Sequence, residues 1–226
     1  ESDVPRLLDL GRAAIDAGKH LHLDKPAGTD LGAFRALLDA ADRQKLLVQM
    51  GYMYRYNPGF DFIRQMVADG ALGDIYSIHA SMCTDLSQDK RDRVNIHPGG
   101  LMLELGCHLI DMIVLLLGEP EKVTAFLRHD TDVDDTLKDN TLAVLEFGKA
   151  MATVETAAKE PNAFASRRFK ISGTNGAITL LPLEPPAAQL SLRQAHGEHP
   201  KGISQVSFPD LARHARDLAD LAACIR

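Results

Sequence analysis

The stretch GGLMLELGCHLIDMIVLLLGEP, residues 99–120, decides the fold. Behind its two glycines, Leu101 to Leu117 is almost wholly apolar and is closed by Gly118 and Pro120. This predicts a helix that stops at a glycine with a proline just beyond. Only Glu104, His108 and Asp111 carry a carboxylate or an imidazole there. A helix turns about 100° per residue, so spacings of four and three stack the three on one narrow stripe. The other faces are apolar all round, which predicts a buried helix. The stripe is then either the wall of a cleft or a thin solvent-facing strip on an ordinary amphipathic helix.

Before this helix the chain changes style near Tyr56. Val4 to Ala17 has helical periodicity and ends at a glycine stop. HLHL at 20–23 reads as a short strand broken by Asp24-Lys25-Pro26, a helix follows from Asp30 to Lys45, and LLVQMGYMY at 46–54 reads as a second strand. Helix, strand, helix, strand with short links is the pattern of a parallel sheet with crossover helices, entered here in mid-pattern. From Asn57 a helix over about 58–69 leads into a strand at 75–83, then a polar loop runs LSQDKRDRVNIHPGG into the central helix. Strands are expected at 122–129, 141–148, 150–158, 168–173 and 177–183, with two more in QLSLRQ and ISQVSF. Thr174-Asn175-Gly176 is a hairpin signal. The acidic run DTDVDD at 130–135 is expected to solvate a turn, and a last helix over 209–225 is expected to be capped by Asp210. The outline is an α/β piece over residues 1–56, then an α+β domain over 57–226 with a mostly antiparallel sheet.

A chain of 226 residues with 45% hydrophobic and 25% charged residues is ordinary globular composition. Its net charge of −6 and lack of a Lys/Arg run argue against nucleic acid as a partner. Cys83, Cys107 and Cys224 are widely spaced and form no CxxC, as expected of reduced thiols in a cytoplasmic protein. The opening ESDVPRLLDLGR has charges where a signal peptide needs an apolar core, and the one long apolar run is interrupted by ionisable residues. No membrane association is expected.

Three constellations carry chemistry. Asp24-Lys25-Pro26 follows a strand, and open α/β sheets bind ligands outside the carboxyl ends of their strands. Lys25 is there either a donor or proton-transfer group, or a solvated turn residue. In Glu104–His108–Asp111 an imidazole near neutral pH has a carboxylate one turn away to orient it. The same pair could ligate a metal only with further ligands; His97 and Cys107 are near in sequence, and Cys107 lies about 100° off the stripe. Cys107 itself reads as core or as a nucleophile. His20 and His22 share a strand face, as in some metal-dependent hydrolases, or they pack under a helix. Arg55, Tyr56, Asn57 and Pro58 follow the second strand, where Arg55 could hold an anion or a sugar hydroxyl or lie on the surface. No two glycines anywhere are separated by a single residue, so the GxGxxG cradle for a dinucleotide pyrophosphate is missing.

These segments, in this order, resemble one family. HLHLDKPAG resembles the Glu-Lys-Pro strand end of the Gfo/Idh/MocA oxidoreductases, GYMYRYNPGFDFIRQMVADGALGDIYSI resembles their Arg-aromatic-x-Pro segment, and GGLMLELGCHLIDMIVLLLGEPEKV is similar to their active-site helix. DNTLAVLEFGKAMATVETA looks like paired strands of their C-terminal sheet. The resemblance implies a C-terminal remnant of a Rossmann domain over 1–56 and a substrate and oligomerisation domain over 57–226. It implies NAD or NADP as cofactor, a sugar, polyol or related alcohol as substrate, hydride transfer as the reaction, and a homo-oligomer. Carried over by position, His108 is the acid/base, with Glu104 beside it and Lys25 assisting. Asp24, Lys25 and Pro26 lie at the cofactor, and Tyr54, Arg55, His97 and Asp111 face the substrate. Glu104 stands where the family usually has Asp, and Asp24 where it usually has Glu; charge is kept and reach is changed. By this comparison the chain alone is expected to bind cofactor poorly and to be inactive. A metal-dependent hydrolase built on His20 and His22, and a non-catalytic sugar-binding or dimerisation module, are the rival readings.

Overall fold

Alternation of apolar and polar residues builds most of this protein. The computed structural model describes residues 4–209 and 214–225. They fall into two compact units, one ending at Tyr56 and regaining the last helix, the other starting at Asn57.

The larger unit is organised on an eight-stranded sheet. Its strands are β3 (Ile75–Ser81), β4 (Lys122–Arg128), β5 (Asn140–Glu146), β6 (Met151–Ala157), β7 (Arg168–Gly173), β8 (Gly176–Leu180), β9 (Ala187–Leu192) and β10 (Gly202–Ser207), in the order β10-β9-β8-β7-β3-β6-β5-β4. All pairings are antiparallel except β3 with β6. Period-two side chains decide which face is covered. Ala143 and Leu145 of β5, Ala152 and Val154 of β6, Ile78 and Ala80 of β3, and Phe169 and Ile171 of β7 are all buried, and the ladder registers align them on one face. Helix α3 (Pro58–Ala68) adds Phe60 to this core, its ring edge-on to Phe169 at 5.1 Å between centroids. Asn57 caps α3 by accepting from the Gly59 amide at 2.8 Å, with Pro58 opening the helix. The hairpin expected at Thr174-Asn175-Gly176 joins β7 to β8, and Asn175 and Gly176 donate to Leu72 O.

Two features of this unit depart from the sequence expectation. The polar loop before the central helix contains a helix, α4 (Gln88–Asn95), and a short α6 (Ala163–Ser166) precedes β7. Neither has an apolar stripe long enough to read as helical periodicity.

The smaller unit holds α1 (Val4–Asp16), β1 (Leu21–Leu23), α2 (Leu31–Arg43), β2 (Val48–Met50) and a 3-10 turn at Met53–Tyr56. β1 and β2 pair in parallel, Leu21 with Val48 through Leu23 with Met50. Leu7, Ile15, Leu23, Leu37, Ala40 and Ala41 form their core. Both strands are shorter than the expected 20–23 and 46–54, because the chain turns directly after Leu23 and after Met50. Asp30 caps α2 by accepting from Ala33 N at 2.9 Å. The last helix, α7 (Ala215–Ile225), belongs to this unit, whereas the expected second domain ran through to 226. Arg216 Nη1 donates to Tyr56 O at 3.0 Å, and Tyr56 Oη donates to Asp220 Oδ2 at 2.7 Å. Burial, together with the Asp220 carboxylate, pushes the Tyr56 phenol up to about 12. The expected Asp210 cap lies outside the described residues. Among them, no helix is long and apolar enough to cross a membrane.

Candidate functional site

The helix that carries Glu104, His108 and Asp111 is not a single regular α-helix. Met102–Gly106 form a π-turn, and only then does α5 (Cys107–Leu117) begin. A π-turn bonds i to i+5 and so inserts one residue into the α pattern, a device that recurs at functional sites. Gly106 lets the turn lie on the sheet: a Cβ there would sit 2.6 Å from Met102 Sδ and 3.4 Å from Thr156 Cγ2 of β6. Gly118, at φ 83°, closes α5 as expected. His108 is buried at 7% exposure, and Glu104 and Asp111 are half-buried, so the stripe is not a solvent-facing strip. The helix is not buried all round either, because Val114 and Leu115 are exposed near its end.

The approach to this helix is held by a buried cluster of charges beside an apolar one. Arg91 of α4 is 1% exposed. Its Nε donates to Asp135 Oδ2 at 2.6 Å, while Nη2 donates to Asp135 Oδ1 at 2.9 Å and Asp139 Oδ2 at 2.8 Å. Burial alone would raise the Asp139 carboxyl. Hydrogen bonds from Arg91, Thr131 and the Asp130 amide, with the His129 charge, outweigh burial and bring it down to about 2. The acidic run expected to solvate a turn is therefore, at Asp135, half of a buried ion pair, while Asp130 pairs outward with Arg128 at 2.9 Å. Just past α4, the His97 amide donates to Val94 O at 3.0 Å, and His97 is buried. Gly100 has φ +50°, and a Cβ on it would stand 2.7 Å from Lys138 O. Leu137 packs with Leu86, Leu101 and Ala158. The loop after β4 thus seats the first residues of the site helix. Sequence reasoning missed Arg91, Asp135 and Asp139. The available signal was an arginine inside a polar segment and an acidic run with more carboxylates than its neighbours Arg128 and Lys138 could balance.

In the smaller unit, Asp24-Lys25-Pro26 leaves the carboxyl end of β1, as the parallel pattern requires. Asp24 Oδ1 accepts from the Lys25 amide at 2.8 Å, Pro26 is buried, and Asp24 and Lys25 are half-buried. Gly51 leaves β2 alongside: its amide donates to Leu23 O at 2.8 Å, and a Cβ would meet Asp24 Cα at 3.4 Å. Tyr54 is buried, and Arg55 is exposed with its guanidinium 5.9 Å from the centre of the Tyr52 ring. His20 and His22 have separate partners. His20 Nδ1 accepts from Leu47 N at 3.0 Å, and His22 Nε2 lies 3.5 Å from Asp217 Oδ2 of α7. Among the described residues, no group of three His, Cys, Asp or Glu side chains could hold a metal ion. Cys107 donates to Glu104 O at 3.7 Å, and burial pushes the Cys83 thiol up to about 11, an inert range.

The GFO/IDH/MocA C-terminal domain pattern matches residues 60–179, just over half of the chain, from within α3 to within β8. The chain belongs to the GFO/IDH/MocA family. Bovine (Bos taurus) trans-1,2-dihydrobenzene-1,2-diol dehydrogenase is 28% identical over 189 residues, covering 82% of the chain and 55% of that relative. The D-xylose 1-dehydrogenase (NADP(+)) 2 of Haloferax volcanii is 28% identical over 188 residues, covering 80% and 55%. An inositol dehydrogenase homolog from Azotobacter vinelandii, solved with NADH and myo-inositol, shares the fold at TM-score 0.80 and 18% identity. That likeness covers 97% of this chain and 57% of the other. This GFO/IDH/MocA chain therefore spans about half the length of the curated relatives it matches.

Proposed function

We propose that this chain is part of an NAD(P)-dependent oxidoreductase that moves a hydride between a nicotinamide cofactor and a CH–OH carbon of a sugar, polyol or diol. The observation that carries the reading is His108, a buried imidazole on the π-to-α helix with Glu104 one turn before it and Asp111 one turn after. In this reading His108 takes the hydroxyl proton as the carbonyl forms and returns it in the reverse direction. Glu104 orients the ring, and its negative charge favours the imidazolium that forms. Asp111, His97, Tyr54 and Arg55 hold substrate hydroxyls, and Lys25 assists as a charged donor.

The smaller unit would be the C-terminal part of a Rossmann domain, completed by α7, with residues 57–210 as the substrate domain. Its strand ends would hold the nicotinamide half of the cofactor: a Cβ on Gly51 would stand 3.3 Å from Asp24 Oδ1 and 3.4 Å from Asp24 Cα, so the two strand ends run close together where Lys25 and Pro26 leave β1. The sequence has no G-x-G, so these residues do not cradle the pyrophosphate. When bound, the nicotinamide supplies the hydride acceptor or donor. The relatives' names support this substrate class, with a diol dehydrogenase and an NADP-dependent xylose dehydrogenase among them.

The deciding experiment is His108→Ala in the natural enzyme, assayed over sugars, polyols and diols with NAD and NADP. Turnover falls roughly 10²–10⁴-fold with cofactor affinity retained, the size of a lost general base. Turnover equal to wild type removes His108 from the reaction.

A further inference from the structure

His129, in the turn after β4, is caught between two backbone carbonyls. Its Nδ1 lies 2.9 Å from Leu137 O, and its Nε2 lies 3.1 Å from Val133 O. A carbonyl oxygen only accepts, so each ring nitrogen must donate; a neutral imidazole has one N–H, and only the imidazolium has two. Two carboxylates stand against the same ring edge, Asp139 Oδ2 at 3.3 Å and Asp135 Oδ1 at 3.6 Å from Nδ1. Both also pair with Arg91 from α4. The other charges nearby are the Arg128–Asp130 pair, which satisfies itself at 2.9 Å.

Charge accounting points the same way. Asp135 and Asp139 together carry two negative charges in a site that is 7% and 0% exposed at their side chains. Arg91 balances one of them. The imidazolium balances the other, and loss of its second proton leaves a net negative charge where water cannot screen it.

We propose that His129 is held doubly protonated and acts as a proton-dependent clamp on the 129–139 loop. Because the clamp bonds Leu137 O, it acts on the residue whose side chain packs against Leu101. Through the shared carboxylates it also fixes Arg91, and with it α4 and the approach to His97. Deprotonation therefore loosens the whole entry to the helix of Glu104 and His108. The clamp stands on hydrogen-bond geometry and holds whichever reaction that helix serves.

Two measurements on the full natural protein test it without an activity assay. Long-range ¹H–¹⁵N spectra of the His129 ring near pH 6 should show both nitrogens protonated. Amide exchange over residues 88–101 and 129–139, corrected for intrinsic rates, should lose about tenfold of protection as rising pH removes the ring's second proton. In His129→Gln that pH dependence should vanish. A ring held as one neutral tautomer near pH 6, or wild-type protection that does not vary with pH, overturns the clamp. Should the Gln variant fail to fold, the wild-type spectra and exchange still decide.

Discussion

Asp139→Asn removes one charge from a buried cluster and keeps the shape. The Asp139 carboxyl sits at about 2 instead of 3.8, because Arg91, Thr131 and the Asp130 amide outweigh the cost of burying it. Holding the carboxyl that low is worth about 2 kcal/mol of folding stability, at about 1.4 kcal/mol per tenfold change in proton affinity. A lowered carboxylate contributes that stability at neutral pH and loses it as pH falls from about 5 toward 2. In the variant, the amide oxygen can still accept from the Asp130 amide, now 2.9 Å from Oδ1, but the amide NH₂ meets Arg91 Nη2, itself a donor. Arg91 keeps its two bonds to Asp135. The expected loss near pH 7 is therefore about 2–4 kcal/mol, below that of a fully stranded buried charge. Urea unfolding should show the midpoint falling by roughly 1 M or more. Repeating the titration down to about pH 2 should close the gap between variant and wild type by about 2 kcal/mol. A gap under about 0.5 kcal/mol near neutrality, or two curves that stay parallel in acid, would refute the cluster's assigned role.

Gly100→Ala combines a left-handed backbone position with a carbonyl 2.7 Å from the new Cβ, so it should cost about 2–4 kcal/mol in thermal or urea unfolding. An unchanged midpoint would mean that the 137–139 loop does not abut the site helix. The face of the sheet opposite its core exposes Phe126 at 52% and Met151 at 48%, beside half-buried Leu142 and Val144. A second copy of the chain packed there is the proposed homo-oligomer. Phe126→Asp with Met151→Asp should then shift sedimentation toward the monomer, and an unaltered sedimentation profile would move the interface elsewhere.

The strands were legible because alternation survives in single sequences: TLAVLEF and MATVETA display their buried faces residue by residue, and Asn175-Gly176 marks its hairpin. The helix that carries Glu104, His108 and Asp111 was legible from its apolar run and its Gly118 stop. What holds that helix in place was not. Helix α4 has no apolar stripe, and its buried anchor is an arginine whose partners Asp135 and Asp139 lie more than forty residues away in the chain. The π-turn leaves composition unchanged, so no period betrays it. The return of α7 to the first unit depends on Tyr56 and Arg216 meeting across 160 residues. Local pattern gives elements; long-range ion pairs and returns give their placement.

The place of β3 in the sheet bears on how the protein assembles. On one side of it, β4, β5 and β6 are paired in sequence order, and on the other β7, β8, β9 and β10 are. Each group is a meander whose neighbours are joined by short connections, so each closes small loops. β3 alone pairs with strands far along the chain, Ser81 with Glu155 on one side and with Arg168 on the other. Bringing it into register closes loops of roughly seventy residues or more, an entropy cost that the meanders avoid. The folding rate is therefore governed by the high contact order of this one strand, and the two meanders can stand ready before it docks. The chain that leaves β3 runs directly into α4 and the helix of His108, so the entry to the site is tied to the strand whose pairing closes the longest loops of this sheet.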